Sequence, residues 1–230
     1  MAPHQLSTIL RTRDLAETRS SPVSQVIVAG WTGRDRVALE KHIRELEELG
    51  VRRPSTTPIF YRVSAPRVTT ASTIQATGTA SSGEVEFVLA QWNGKLWVGV
   101  GSDHTDREVE TYNVTVSKQM CEKPIASEFW SFDDLADHWD KIMLRSFIHE
   151  NSERVLYQEG SVAAMLDPAT LIKGFTGGDS LPEGSLMLCG TFAAKGGIRP
   201  ASRFEFEIDD PILGRTIRHG YELETLPVLG

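Results

Sequence analysis

The chain has 230 residues, 40% of them hydrophobic and 24% charged, with a formal net charge of −7. That length can bury a sizeable core, and an acidic balance without a long Lys/Arg run excludes a nucleic-acid footprint or attraction to an anionic membrane. Cys121 and Cys189 form neither a disulfide framework nor a zinc spacing, and no stretch reaches the ~20 apolar residues of a membrane span, so a cytoplasmic protein with free thiols is expected.

Residues Met1 to Pro22 carry scattered charge, Ser and Pro with little periodicity. They read as a flexible N-terminal arm (1–22), leaving 23–230 as a single folded domain. Val23 to Trp31 reads as a strand. Thr32-Gly33 then turns the chain into a helix over about 34–49, with Leu39, Ile43, Leu46 and Leu49 as its apolar stripe and Gly50 as its stop. His42 falls between Leu46 and Leu49 on the buried side. Glu45 lies three residues on, close enough to orient an imidazole for proton transfer, although exposed helix pairs share that spacing. Ile59 to Val63 reads as a strand after a loop punctuated by Pro54 and Pro58, and a weaker strand surrounds Ile74.

The stretch from Glu84 to Asp103 reads as a β-hairpin turning at Asn93-Gly94, a pair suited to the positive φ values of a type I′ turn. Counting outward from Trp92 opposite Lys95 sets Ala90 against Trp97, Val88 against Gly99, Glu86 against Gly101 and Glu84 against Asp103. Period-two alternation puts Glu84, Glu86 and Asp103 on one face. Like charges so close repel, and Gly99 and Gly101 leave the expected room for something small beside them. An all-oxygen set of this kind suits a hard divalent cation; a solvated strand face has the same composition. His104 is a further metal-ligand candidate, but its side chain should leave the opposite face.

Asn113 to Met120 reads as a strand with Lys118 near its end. Ser131 and Asp134 mark the start of a helix through Leu135, Trp139, Ile142 and Met143 to about Ile148, which makes His138 a structural residue. Short strands follow at Val155 to Gln158, Leu186 to Gly190, Phe204 to Ile208 and Thr216 to Glu222. Mostly short strands with two helices, and no regular strand-helix alternation, give an α+β, predominantly β fold.

Several of these segments together resemble the fumarylacetoacetate hydrolase superfamily, from about Val28 to the C-terminus. His42-Ile43-Arg44-Glu45 resembles that family's lid helix, in which a His-x-x-Glu dyad moves protons. Pro58-Ile59-Phe60-Tyr61-Arg62 resembles its Pro-x-x-Phe-x-Lys strand. Glu84-Val85-Glu86 resembles its metal-binding Glu-x-Glu pair, and Asp103-His104-Thr105-Asp106-Arg107 the segment whose Asp is the third ligand. Lys118 falls at the family's active-site Lys, and Gly190-Thr191 at its carboxylate-binding loop. The hairpin register and the resemblance select the same three acids by separate routes. This chain departs from the pattern at Arg62, where Lys is usual, and at Glu110, where many relatives have Gln. It departs again at the bare hairpin between Glu86 and Asp103, and at Pro124-Ile125-Ala126-Ser127, which replaces a Gly-Pro.

The resemblance implies a fumarylacetoacetase-like mixed β-roll or sandwich with a few short helices, assembled as a homodimer. It implies Mg²⁺, with Mn²⁺ or Ca²⁺ as alternatives, held by Glu84, Glu86 and Asp103. His42, Glu45 and Lys118 would be catalytic, Arg62, Glu110, Gly190 and Thr191 would bind substrate, and Arg107 would brace Asp103. The implied activity is on a small 2-oxo acid or 1,3-dicarbonyl, with C–C bond hydrolysis through a metal-stabilised enolate favoured. Decarboxylation, hydration or dehydration and keto-enol isomerisation use the same constellation. A non-catalytic binding module that keeps the fold is the reading of a different class.

Overall fold

The computed structural model describes residues 3–48 and 53–229, without the side chains of His42, Glu45, Leu46 and Glu48. Its strands are β1 (His4–Arg11), β2 (Ala16–Val23), β3 (Gln25–Gly30), β4 (Ile59–Val63), β5 (Thr73–Thr77), β6 (Val85–Trp92), β7 (Lys95–Ser102), β8 (Glu128–Ser131), β9 (Met143–Glu150), β10 (Glu153–Ser161), β11 (Ser185–Leu188), β12 (Arg203–Asp210) and β13 (Arg215–Leu226). Two-residue bridges add to these. The helices are α1 (Arg36–Glu48), α2 (Arg107–Glu110), α3 (Val114–Met120) and α4 (Pro168–Thr176).

The strands form an eight-stranded sheet in the order β2-β1-β8-β7-β6-β11-β3-β4 and a five-stranded sheet in the order β10-β9-β12-β13-β5. One apolar cluster lies between them, joining Phe87, Leu89, Val98 and Val100 of the first to Leu144, Phe206, Ile208 and Ile217 of the second. A second cluster covers the other face of the eight-stranded sheet. It draws on every one of its strands, with Leu6, Val23, Val28, Val63, Val88, Trp97, Phe129 and Leu188 among its members. A sheet whose two ends contribute to one cluster has curled around it, and the expected α+β, mainly β architecture is observed.

The central ribbon has the expected register. Glu86 pairs with Gly101, Val88 with Gly99, Ala90 with Trp97 and Trp92 with Lys95, and the Asp103 N–H donates to the Glu84 carbonyl at 3.0 Å. Asn93 and Gly94 have φ of 55° and 70°, the mirror-image turn that matches strand twist. Both of their N–H groups donate to the Glu183 carboxylate, at 2.6 and 3.2 Å. All eight residues of β6 are buried, because each face of the ribbon meets one of the two clusters. Gly99 and Gly101 do not leave space for an ion. A Cβ on Gly99 would lie 2.6 Å from the Phe129 ring, and one on Gly101 would lie 2.8 Å from Ile125. The glycines admit core side chains instead.

Three further expectations need correction. Residues 4–23 are not a flexible arm: β1 and β2 pair along their length, and β1 joins β8 in parallel through Ile9, Leu10 and Arg11. Leu6 and Leu10 enter the curled-sheet cluster, so alternation that looked weak locally is completed by a partner about 120 residues away. Residues 114–120 are helical rather than extended, because the Asn113 side chain accepts the Val116 N–H at 3.0 Å and caps α3. The helix expected from Ser131 to Ile148 is instead two 3₁₀ turns, Phe132–Asp134 and Ala136–Lys141, after which β9 begins. Ser131 makes no side-chain cap. Helix α4, capped by Asp167 through the Thr170 N–H, was not anticipated. No helix among the described residues is long and apolar enough to cross a membrane.

Candidate metal centre

Where β6 and β7 run out, the face they turn to the curled-sheet cluster changes from apolar to acidic. Carboxylate oxygens of Glu84, Glu86 and Asp103 lie within 4.8 Å of one another. Glu86 and Asp103 are buried, and the Glu84 side chain is 18% exposed. Burial and the neighbouring Asp103 charge push the Glu86 carboxyl well above its usual range. Burial raises Glu84 in the same direction, against the pull of Arg107 and Lys118. Burial also opposes ionisation of Asp103, but Lys118 and Lys123 prevail and bring its pKa to about 2.

Each acid is held from a different element. Gly190, directly after Cys189 at the end of β11, donates its N–H to Glu86 Oε2 at 2.7 Å. Its φ of 96° and a Cβ position 1.8 Å from Thr32 Oγ1 admit only glycine. Lys118, projecting from α3, places Nζ 2.5 Å from Asp103 Oδ2 and 3.8 Å from Glu110 Oε1. Although burial opposes its charge, the Asp103, Glu84 and Glu110 carboxylates raise the Lys118 pKa. Arg107 lies 3.3 Å from Glu84 and 2.8 Å from Glu110, and its Nε donates to Ser82 Oγ at 2.7 Å. It therefore braces Glu84, not Asp103 as expected.

The structure thus brings together Glu84, Glu86, Asp103, Arg107, Glu110, Lys118, Gly190 and Thr191. Thr191 is already engaged through its hydroxyl, which donates to the Val85 carbonyl at 2.7 Å and accepts from Gln158 Nε2 at 2.8 Å. Arg62 does not join the group. It is exposed on the opposite face of β4 from Tyr61 and Val63, because that edge strand alternates. Tyr61 takes the place instead, its ring centroid 5.9 Å from Lys118 Nζ. The side chains of His42 and Glu45 lie outside the described residues, although the helix that carries them is present as α1.

Two residues at the site had no sequence signal. Tyr61 was hidden by the motif that drew attention to Arg62. Lys123 is fully buried, with Nζ 3.3 Å from Asp103 Oδ1, and nothing in its neighbours Glu122 and Pro124 marks it. His104 points away, as expected: its ring nitrogens meet Tyr221 Oη at 2.8 Å and Ser81 Oγ at 2.9 Å. Burial, aided by Lys123 and Arg107, lowers its pKa to about 3, so it is a neutral structural group. His138 is also structural, paired with Asp210 Oδ1 at 2.9 Å.

These residues fit a hard divalent cation. Three carboxylates converge, no Cys or His joins that group among the described residues, and Asp103 Oδ1 is buried without a hydrogen bond. Lys123 Nζ lies 3.3 Å from that oxygen without making a hydrogen bond, and a buried acceptor left without one is costly.

Comparison with known proteins bears on what such a centre belongs to. Residues 29–221 match DUF2848, a family described as a protein of unknown function. The chain belongs to the DUF2848 family. No curated protein matches it. Among solved structures, the DUF2848 chain is similar to Cg1458 bound to an inhibitor, with a TM-score of 0.65 and 18% identity over 91% of this chain and 81% of that one. It is also similar to 2-keto-3-deoxyarabinonate dehydratase, with a TM-score of 0.63 and 16% identity over 92% and 78% of the two chains. The 2-keto-3-deoxy-D-arabinonate dehydratase complexed with magnesium and 2,5-dioxopentanoate aligns with a TM-score of 0.61 and 15% identity, over 92% and 77%. At these identities the likeness establishes the fold of the DUF2848 chain, which is the fumarylacetoacetase-like one expected from its motifs.

Proposed function

We propose that this protein is a divalent-metal-dependent enzyme acting on a small 2-oxo acid, a member of the fumarylacetoacetate hydrolase superfamily in which the residues at the ribbon's end do the chemistry. The observation that carries this reading is the largely buried convergence of Glu84, Glu86 and Asp103 within 4.8 Å, with Asp103 Oδ1 left without a hydrogen bond. Those three acids would hold the ion, Mg²⁺ in the first instance. When bound, it would supply Lewis-acid polarisation of the substrate's carbonyl. Lys118, kept as an ammonium by the surrounding acids, offers fixed positive charge where negative charge develops, with no reorganisation at the moment of reaction. The Thr191 N–H is assigned to the substrate carboxylate, and Glu110, beside Lys118, to the far end of the substrate. His42, turned by Glu45, is assigned to move the proton; that assignment rests on the lid-helix resemblance.

C–C hydrolysis is the first reading of the reaction. Dehydration is the second, favoured by the solved neighbour that is a 2-keto-3-deoxy-D-arabinonate dehydratase. Both need a carbonyl held against a cation and a base beside it. The test is Mn²⁺ and Mg²⁺ binding, and turnover of acylpyruvates and 2-keto-3-deoxy sugar acids, in wild type, Glu84→Ala, Asp103→Ala and His42→Ala. Wild type should bind the ion and turn over one class. The two acid variants should lose both properties, and His42→Ala should lose turnover alone. Acid variants that keep metal affinity and full turnover would sink the reading. Solvent ¹⁸O in a cleaved product separates hydrolysis from dehydration.

A further inference from the structure

Strand β10 breaks its own alternation close to the ribbon's end. Ser146 of β9 pairs with Gln158, but Phe147 pairs with Leu156, so Tyr157 is an extra residue in β10. A bulge of this kind re-aims side chains. Here it turns two consecutive residues inward: Tyr157 and Gln158 are each 1% exposed. Gln158 thereby sends a primary amide into the face that carries Leu144, Ile148, Phe206 and Ile208. A polar group so placed is costly unless its hydrogen bonds are made.

Gln158 makes all four that an amide can make. Its Oε1 accepts from the Val85 N–H at 2.9 Å and from the Ser146 hydroxyl at 2.9 Å. Its Nε2 donates to Thr191 Oγ1 at 2.8 Å and to the Phe192 carbonyl at 2.7 Å. An N–H can only donate and a carbonyl can only accept, so these two backbone partners allow the amide one orientation. Thr191 Oγ1 accepts from Gln158 and passes its own proton to the Val85 carbonyl at 2.7 Å. The result is a closed ring from Val85 to Gln158 to Thr191 and back to Val85. Val85 stands between Glu84 and Glu86, and Thr191 follows the Gly190 whose N–H holds Glu86. The same stretch of β10 seats more of that loop. The Tyr157 carbonyl accepts the Lys195 N–H at 2.8 Å, and a Cβ on Gly160 would lie 2.9 Å from the Phe192 ring.

We propose that Gln158 is a positioning residue that holds the Gly190-Thr191 loop in register with the metal-binding ribbon, so that the carboxylate of a 2-oxo acid meets the loop while its carbonyl meets the ion. Gln158 acts through Thr191 and Val85. The proposal rests on the metal-site reading above, and adds to it the group that sets the spacing between the two halves of the substrate site.

The experiment is calorimetry on the full chain, in wild type and Gln158→Met. Mn²⁺ is titrated alone, and pyruvate and neutral methyl pyruvate are then titrated at saturating Mn²⁺. Methionine is close to glutamine in length and removes all four hydrogen bonds. Pyruvate should bind Gln158→Met about tenfold more weakly than wild type, the loss expected when one hydrogen bond is no longer aimed. Affinity for Mn²⁺ alone should change far less, because all three acids remain, and methyl pyruvate should be unaffected, because it brings no carboxylate to the loop. Pyruvate bound equally by wild type and folded Gln158→Met overturns the proposal. Equal losses for the two organic probes, or a matching loss for Mn²⁺ alone, mark general damage and overturn it as well. If Gln158→Met does not fold, Thr191 decides. Thr191→Ser keeps the ring's hydroxyl and should bind pyruvate as wild type does, whereas Thr191→Val opens the ring and should lose about tenfold. Equal affinity in those two variants overturns the proposal and leaves the metal site standing. Absence of Mn²⁺ binding by wild type removes the metal reading itself, and this inference with it.

Discussion

On the outer face of the five-stranded sheet, Glu159, Glu205 and Glu222 each lie within 3.0 Å of an arginine nitrogen, from Arg145, Arg154 and Arg203 respectively. At the mouth of the curled sheet a comparable number of charges is gathered, but Glu86, Asp103, Lys118 and Lys123 are buried there and one Asp103 oxygen has no hydrogen bond. The exposed lattice is matched pair by pair in water, where ion pairs contribute little and constrain nothing beyond solubility. The buried cluster is held against a desolvation cost of several kcal/mol per ion. Charge retained at such a cost, and left incompletely matched, is what separates a site from a decorated surface.

The two regions should break differently. Lys118→Met removes the closest partner of a fully buried carboxylate and should cost about 3–5 kcal/mol in urea unfolding; a loss below about 1 kcal/mol would place Asp103 in contact with water. Saturating Mg²⁺, at about 100 times its dissociation constant, should stabilise wild type by about 2.7 kcal/mol. It should not stabilise Asp103→Asn, and calorimetric melting reads both. Gly190→Ala should cost about 2 kcal/mol, because a left-handed residue gains a Cβ against Thr32. It should also weaken the ion's binding by displacing the N–H that holds Glu86.

In the exposed lattice, Glu205→Gln should cost at most about 1 kcal/mol at pH 7. Partial burial opposes ionisation of Glu205, but Arg154, Arg203 and His149 lower its pKa from 4.5 to about 2. A value depressed by folding gives stability that is complete above the unfolded pKa and lost as pH falls. The variant and wild type should therefore converge between pH 4.5 and about 2. Raising salt should shrink the Glu205 effect and leave the Lys118 effect almost unchanged.

The sequence displayed the ribbon because its information is local. Asn93-Gly94 sets the turn, the turn sets the register, and the register sets Glu84 opposite Asp103. What it concealed depends on distant partners. β2 reads as polar coil until β1 pairs with it and with β8. The β-branched start of α3 favours a strand on propensity alone, and one Asn113 side chain reverses that choice. Trp139 and Ile142 suit a helical stripe, yet the chain leaves the 3₁₀ turn at Lys141 because residues 143–150 find strands on both sides. Lys123 is legible only once Asp103 is beside it.

Strand β6 has no solvent-facing side: every residue from Val85 to Trp92 is buried. A lineage exploring new substrates thus finds no neutral steps along it, since each change disturbs packing before it alters chemistry. Novelty has to enter where the acids are met from outside, through α2, α3 and the loop after β11. Relatives of this chain should accordingly diverge in those connections while the ribbon between them stays nearly frozen.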